Sequence, residues 1–207
     1  MSMQRFLTDR KIDTLFHFTR AENLPNILEH GLLPRSVLEE NNIDSSFNDE
    51  YRYDKCKNAV CTSIEFPNYK MFYTLRMDNP DVGWVVLLLN AQIMCDFECV
   101  FCSTNAGNAR IYTRDIEERK GVKALRKLFD ERDNGPTRKE LGIPDWYPTD
   151  PQSEVLVFAN IPTSYINKVF FENKKVFEKY TGLLPRSILG ELEVAVFEGR
   201  KDWNYWR

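Results

Sequence analysis

The run Trp84-Val-Val-Leu-Leu-Leu89 constrains the fold more than any other stretch of the chain. Together with Val82 it is nearly continuous Val and Leu, the signature of a strand buried on both faces. Such a strand has to lie inside a sheet with packing elements on either side. The wider apolar stretch, Trp84 to Met94, is interrupted by Asn90 and Gln92 and is too short to span a bilayer.

Shorter segments read as further strands: Leu15 to Thr19, Ala59 to Ile64, Glu154 to Ala159, Lys168 to Phe171 and Glu193 to Phe197. After the first of these, Asn23 offers an N-cap to a short helix carrying Leu24, Ile27 and Leu28, and Gly31 sits where the C′ residue belongs. Pro67 opens a second helix through Tyr69, Phe72, Tyr73 and Arg76. Asp115 to Arg132 reads as one amphipathic helix with Ile116, Val122, Leu125, Leu128 and Phe129 inward. Its basic face holds Arg119 and Lys123, and Gly121 weakens it by about 1 kcal/mol relative to Ala. Phe171 to Tyr180 is helical. Residues 38–57 form a polar, acidic loop or loose helical excursion, and 133–153 a long loop of the kind that tends to be functional. Strands and helices mix without regular βαβ alternation, so the class is α+β in a single domain, 1–207.

Composition excludes several function classes. The 28 Lys and Arg against 31 Asp and Glu leave a net charge of −3, which argues against bulk electrostatic nucleic-acid binding. Hydrophobic residues at 43% and aromatics at 13% support a core and exclude global disorder. The polar segment Met1 to Arg10 has no apolar signal-peptide core, so the expectation is a cytoplasmic protein that does not engage a membrane.

Several constellations have both a structural and a chemical reading. Cys95, Cys99 and Cys102 have the spacing to hold a four-iron cluster. No Gly-rich S-adenosylmethionine motif follows them, and a zinc site lacks an evident fourth ligand. Free buried thiols and no metal are the expected state. His17 is a structural strand residue or the histidine placed for chemistry, while His30 sits at a helix end. Glu154 is an edge charge or a carboxylate at the mouth of a buried strand. Arg52 is a solvated cation or a bidentate phosphate grip. Phe66, Tyr69, Phe72 and Tyr73 are core or a platform for a planar ring. Residues 105–132 hold eight cations against five acids, either a solvated face or a groove for a single strand.

Four segments, in order, resemble the DarT-type DNA ADP-ribosyltransferases. They are the His17-x-Thr19 strand with its helix ending in Gly31, the segment Phe101-Cys-Ser-Thr-Asn-Ala106, the strand Gln152-Ser-Glu-Val-Leu-Val157, and the tail Arg200-Lys-Asp-Trp-Asn-Tyr-Trp206. The resemblance implies an ADP-ribosyltransferase fold, a split antiparallel β core with flanking helices. It implies NAD+ as co-substrate, a base of single-stranded DNA as acceptor, and an ADP-ribosyl-DNA hydrolase as antitoxin to this toxin, itself expected to be monomeric. It makes Glu154 and Arg52 catalytic, with His17, Thr19, Asn23, Gly31, Tyr69, Phe72 and Tyr73 around NAD+. Trp146, Tyr147, Gln152, Arg119 and Lys123 would meet the DNA. The segment Ser63-Ile-Glu-Phe-Pro-Asn-Tyr-Lys-Met-Phe-Tyr73 is similar to the branch associated with guanine rather than thymine. RNA or protein as acceptor, and a non-catalytic nucleic-acid-binding module, are the alternatives.

Overall fold

The computed structural model describes residues 1–47, 53–132 and 134–206. Seven strands are found among them: β1 (Thr14–Arg20), β2 (Val60–Ile64), β3 (Trp84–Asn90), β4 (Cys99–Cys102), β5 (Glu154–Val157), β6 (Ile166–Phe171) and β7 (Leu189–Leu192). They form one sheet in the order β4-β5-β2-β1-β3-β6-β7. Every neighbouring pair is antiparallel except β6 with β7. The helices in chain order are α1 (Met3–Arg10), α2 (Leu24–His30), α3 (Arg35–Glu40), α4 (Tyr69–Asp78), α5 (Ile93–Asp96), α6 (Ala109–Tyr112), α7 (Gly121–Lys127), α8 (Arg138–Leu141) and α9 (Lys174–Tyr180). No helix among the described residues is long and apolar enough to cross a membrane.

Strand β3 pairs with β1 on one side and β6 on the other, as its apolar run requires. Val85, Leu87 and Leu89 point into one core layer, with Leu15, Val155 and Val169. Trp84 and Val86 point into the other, with Phe16, Phe72 and Phe170. Each of these fully buried side chains contributes about 1.5–3 kcal/mol relative to exposure.

Strand β2 divides its length between two partners. Ser63 and Ile64 pair with Phe16 and Leu15 of β1, whereas Val60, Cys61 and Thr62 pair with β5. Beyond Phe16, β1 pairs only with β3, so the sheet opens between β1 and β2. Helix α2 runs off the open end of β1 and stops at Gly31, whose φ is +84°. A Cβ on Gly31 would lie 2.5 Å from the Ile161 carbonyl oxygen. Leu32 and Ile161 exchange two backbone hydrogen bonds there, 2.9 and 3.0 Å, which fixes the approach.

Two expected elements differ. The continuous helix over 115–132 is broken into a 3-10 turn at Glu117–Arg119 and α7. Lys120 is extended and bridges to Val100, covering the outer edge of β4, and Gly121 takes φ +73°, which a helix cannot continue through. The expected last strand, Glu193 to Phe197, is a 3-10 turn from Ala195 to Phe197, and the strand lies earlier, at β7. Val194 is exposed while the adjacent Val196 and Phe197 are both buried under β3 and α4, so a period of two does not hold.

The cysteine spacing resolves through strand geometry. Cys99 and Cys102 are the two ends of β4, three residues apart, and so face opposite core layers. They cannot converge on one cluster, and no group of three His, Cys, Asp or Glu among the described residues is placed to hold a metal ion. Burial pushes both thiols up to about 12, with Cys95 and Glu98 adding at Cys99, and Glu154 adding at Cys102.

Two outcomes follow from this packing. Gly31→Ala forces an unfavourable φ and a backbone collision, and is expected to lower stability by about 2 kcal/mol or more, read as a fall in melting temperature. Raised thiol pKa values mean neutral sulfur, and thiolate is the reactive form. Iodoacetamide at about pH 8 should therefore leave Cys99 and Cys102 unmodified in the native chain and label them after denaturation, as peptide mapping would read. The stability linked to these two thiols is complete below their ordinary value of 9.0 and is lost as pH rises towards about 12.

Candidate active site

The opening between β1 and β2 is a cleft of about 190 Å³. Its walls include His17 and Thr19 of β1, Asn23 and Gly31 flanking α2, Cys61 of β2, and Glu154 at the start of β5. The turn Asn105-Ala106-Gly107 and the side chains of Phe16, Phe18, Phe47 and Met71 complete it.

His17 closes the gap that β2 leaves. Its Nδ1 lies 2.7 Å from the Cys61 carbonyl oxygen, a group with no β1 partner in the ladder. A carbonyl can only accept, so Nδ1 carries the proton, and in the neutral ring Nε2 is the acceptor. At the next inward position, Thr19 is buried, and its Oγ1 accepts from Asn23 Nδ2 at 2.9 Å.

Asn23 does not cap α2 with its side chain, contrary to its position in the sequence. Its amide is committed elsewhere: Nδ2 also donates to the Ser46 carbonyl at 2.9 Å, and Oδ1 accepts from the Ser46 N–H at 2.8 Å. Asn26 Nδ2 donates to the Asp44 carbonyl at 2.6 Å. Two asparagines thus fasten the 44–46 segment across the end of α2 and bring Phe47 to the cleft.

Glu154 is buried, 7% exposed, and its carboxyl is met by a backbone N–H and a side-chain amide. The Ala106 N–H donates to Oε2 at 2.6 Å, and Asn68 Nδ2 lies 3.5 Å from Oε1. Asn68 also accepts the Met71 N–H through Oδ1 at 3.3 Å, which caps α4. One buried amide therefore starts a helix and orients the carboxyl. Ser153 Oγ donates to the Ser103 carbonyl at 3.1 Å and ties the start of β5 to the end of β4. Beneath the carboxyl lies the protonated Cys102 thiol, with Arg119 Nη1 3.8 Å from its sulfur.

Not every expected site residue reaches the cleft. Tyr69 packs with Leu141 and Phe66, and burial first, then Asp202, raises its hydroxyl well above the ordinary phenol value. Phe72 is 1% exposed and stacks on Phe18, with ring centroids 4.5 Å apart. Tyr73 faces solvent. Helical spacing set these three on one helix, but packing turned each to a different surrounding. Arg119 is buried beside β4, Lys123 is exposed on α7, and neither lines the cleft. Trp146, Tyr147 and Gln152 sit on the loop that leads into Glu154. Arg52 lies outside the described residues.

Sequence reasoning did not assign Asn68, Ala106, Ser46 or Phe47 to the site. Asn68 had a signal, a cap-forming residue directly after Pro67. Ala106 contributes a backbone N–H, for which its side chain gives no sign.

A family model described as "ssDNA thymidine ADP-ribosyltransferase, DarT" matches residues 16–205. No curated protein matches the chain. Among solved structures, Thermus sp. 2.9 DarT in complex with ADP-ribosylated ssDNA superposes with a TM-score of 0.61 at 15% identity, over 91% of this chain and 97% of that one. The same Thermus protein in complex with carba-NAD+ gives 0.58 at 16% identity, over 89% and 97%. Thermosipho africanus DarTG in complex with ADP-ribose gives 0.63 at 16% identity over 89% of this chain, which spans only about half, 50%, of the Thermosipho chain. At these identities the structures establish a shared fold. With the family match running from β1 to the tail, the chain belongs to the DarT family of single-stranded-DNA ADP-ribosyltransferases.

Proposed function

We propose that this chain transfers ADP-ribose from NAD+ to a base of single-stranded DNA, with Glu154 as the catalytic carboxylate. The observation that carries the reading is the buried Glu154 carboxyl, held by the Ala106 N–H and the Asn68 amide in a cleft that also presents His17 and Thr19. The Thermus DarT structures with NAD+ and with ADP-ribosylated ssDNA support the co-substrate and the acceptor.

The cleft suits the nicotinamide riboside end of the dinucleotide. Phe16, Phe18 and Phe47 offer ring faces, in place of Tyr69, Phe72 and Tyr73, and Gly31 lets backbone approach closely. Thr19 and Asn23 supply a hydroxyl and an amide, and His17 Nε2 accepts from a ribose hydroxyl. Arg35 stands at the rim over the Phe47 ring, 4.4 Å from its centroid, and Arg52 is proposed as a further cation for the pyrophosphate.

When NAD+ is bound, its nicotinamide–ribose bond breaks with oxocarbenium character at the anomeric carbon, as in glycosyl transfer. The electron pair of that bond leaves with nicotinamide, and a base nitrogen or exocyclic nitrogen bonds to the carbon. Glu154 accepts a hydrogen bond from the ribose 2′-hydroxyl, which stabilises the developing charge, and takes the proton that the base loses. The Ala106 N–H and the Asn68 amide keep the carboxyl aimed.

Guanine is the proposed acceptor, on the segment Ser63 to Tyr73. The family description, which names thymidine, favours the second reading. The proposed partner is an ADP-ribosyl-DNA hydrolase that reverses the modification.

Incubation with NAD+ and a mixed-sequence oligonucleotide, followed by mass spectrometry, is expected to show a gain of one ADP-ribose mapped to guanine. Mapping to thymine selects the second reading, and label on RNA or protein alone rejects DNA as acceptor. Glu154→Ala should abolish the gain while the fold and stabilisation by millimolar NAD+ remain. Modification by that variant at the wild-type rate would sink the role given to Glu154.

A further inference from the structure

The segment from Pro144 to Thr149 contains no helix or strand, yet arginines from three parts of the chain hold five of its six carbonyls. Arg138 of α8 donates to the carbonyls of Pro144 and Tyr147 at 2.9 and 2.8 Å, and to Thr149 Oγ1 at 2.9 Å. Arg10 of α1 donates to the Asp145 carbonyl at 2.6 Å. Arg200, from the tail, donates to the carbonyls of Pro148 and Thr149 at 2.8 and 3.3 Å. Asp202 grips the same guanidinium in a fork, with Nε to Oδ1 at 2.7 Å and Nη2 to Oδ2 at 2.5 Å.

The arrangement is costly. Burial, then the positive charge of Arg10, lowers the Arg138 pKa, and Arg200 adds to the same effect. The Arg200–Asp202 pair is 2% and 0% exposed, and an apolar pair of similar volume would often stabilise a fold as well or better. What an apolar pair cannot do is hold carbonyl oxygens in chosen directions. The held segment displays Trp146 at the surface and packs Tyr147 against Arg200, 5.2 Å from guanidinium carbon to ring centroid. It then passes through Asp150, which accepts the Gln152 N–H at 2.8 Å, directly into Glu154.

We propose that Arg10, Arg138 and the Arg200–Asp202 pair are positioning residues for the acceptor strand. They preset the 144–149 loop so that Trp146 and Tyr147, on the segment that leads into Glu154, meet the incoming nucleotide, and they thereby govern acceptor affinity rather than NAD+ use. This gives the tail segment Arg200-Lys-Asp-Trp203 a role in the reaction. The inference rests on the DNA-transfer reading above. A loop already in its binding shape loses less conformational freedom when the strand docks, so loosening it weakens acceptor binding selectively.

The test uses the full chain with NAD+ and a single-stranded oligonucleotide that the wild type modifies. Arg200→Lys and Arg138→Lys keep the charge and lose the fork. Each is expected to raise the oligonucleotide KM by roughly tenfold or more, the scale of a misplaced positioning group. The NAD+ KM and the NAD+-induced melting shift should stay within about twofold of wild type. Asp202→Glu, which restores a carboxylate, should recover part of the loss relative to Asp202→Asn. Should Arg200→Lys fail to fold, the half-buried Arg138→Lys and Arg10→Lys carry the same test. Folded variants with an unchanged oligonucleotide KM, or with both KM values raised equally, overturn the proposal while leaving the DNA reading intact. Wild type that modifies no single-stranded DNA overturns both.

Discussion

The hydrogen bond from His17 Nδ1 to the Cys61 carbonyl is the contact on which the site depends. A backbone carbonyl inside a sheet needs a donor, and leaving one bare costs about 1–3 kcal/mol. Where β2 turns from β1 towards β5, Cys61 has no β1 residue opposite it. An imidazole fills that vacancy in the ladder from the side. The split is thereby made tolerable without being closed, and the space that ladder bonds would have occupied becomes the cleft. The same bond assigns the tautomer of His17, so structural repair and chemical polarity are set together.

The two lips of the cleft are then built by different means. On the β1 side, Asn23 and Asn26 use side-chain amides to hold the 44–46 segment, a substitute for strand pairing where none is available. On the β5 side, the first strand residue is the carboxylate, and its donors come from a turn and a helix cap. Below it, the buried Arg119 reaches the Cys102 sulfur, and that thiol stays protonated.

How far the sequence reveals this differs by element. Strand β3 is legible because both its faces are apolar, a property of composition alone. The site strands β1 and β5 are legible for a related reason, since an apolar run ending in a polar residue marks a strand mouth. Strand β4 escaped because its cysteines invited a chemical reading, while their separation of three residues on a strand sends Cys99 and Cys102 to opposite layers. The break at Lys120 and Gly121 depends on the distant edge of β4, and local periodicity carries no trace of it. Tyr69, Phe72 and Tyr73 share a helix, but Phe72 is taken up by Phe18, Trp84 and Phe197 on other elements, and Tyr69 by Leu141.

The residues that build the cleft mostly serve two purposes at once. Asn68 starts α4 and aims Glu154; Gly31 ends α2 and admits Ile161; Asn23 holds a loop and bonds to Thr19. At such positions a loss of activity and a loss of stability arrive together, and neither can be read alone. The arginine-held loop is built differently. Its arginine donors lie outside the cleft and hold the loop mostly through backbone carbonyls, on the segment that leads into Glu154. On the proposed reading, recognition of the two substrates is divided between separate supports. An acceptor preference can change by altering the loop and its arginines, while the split sheet and its histidine bridge stay as they are.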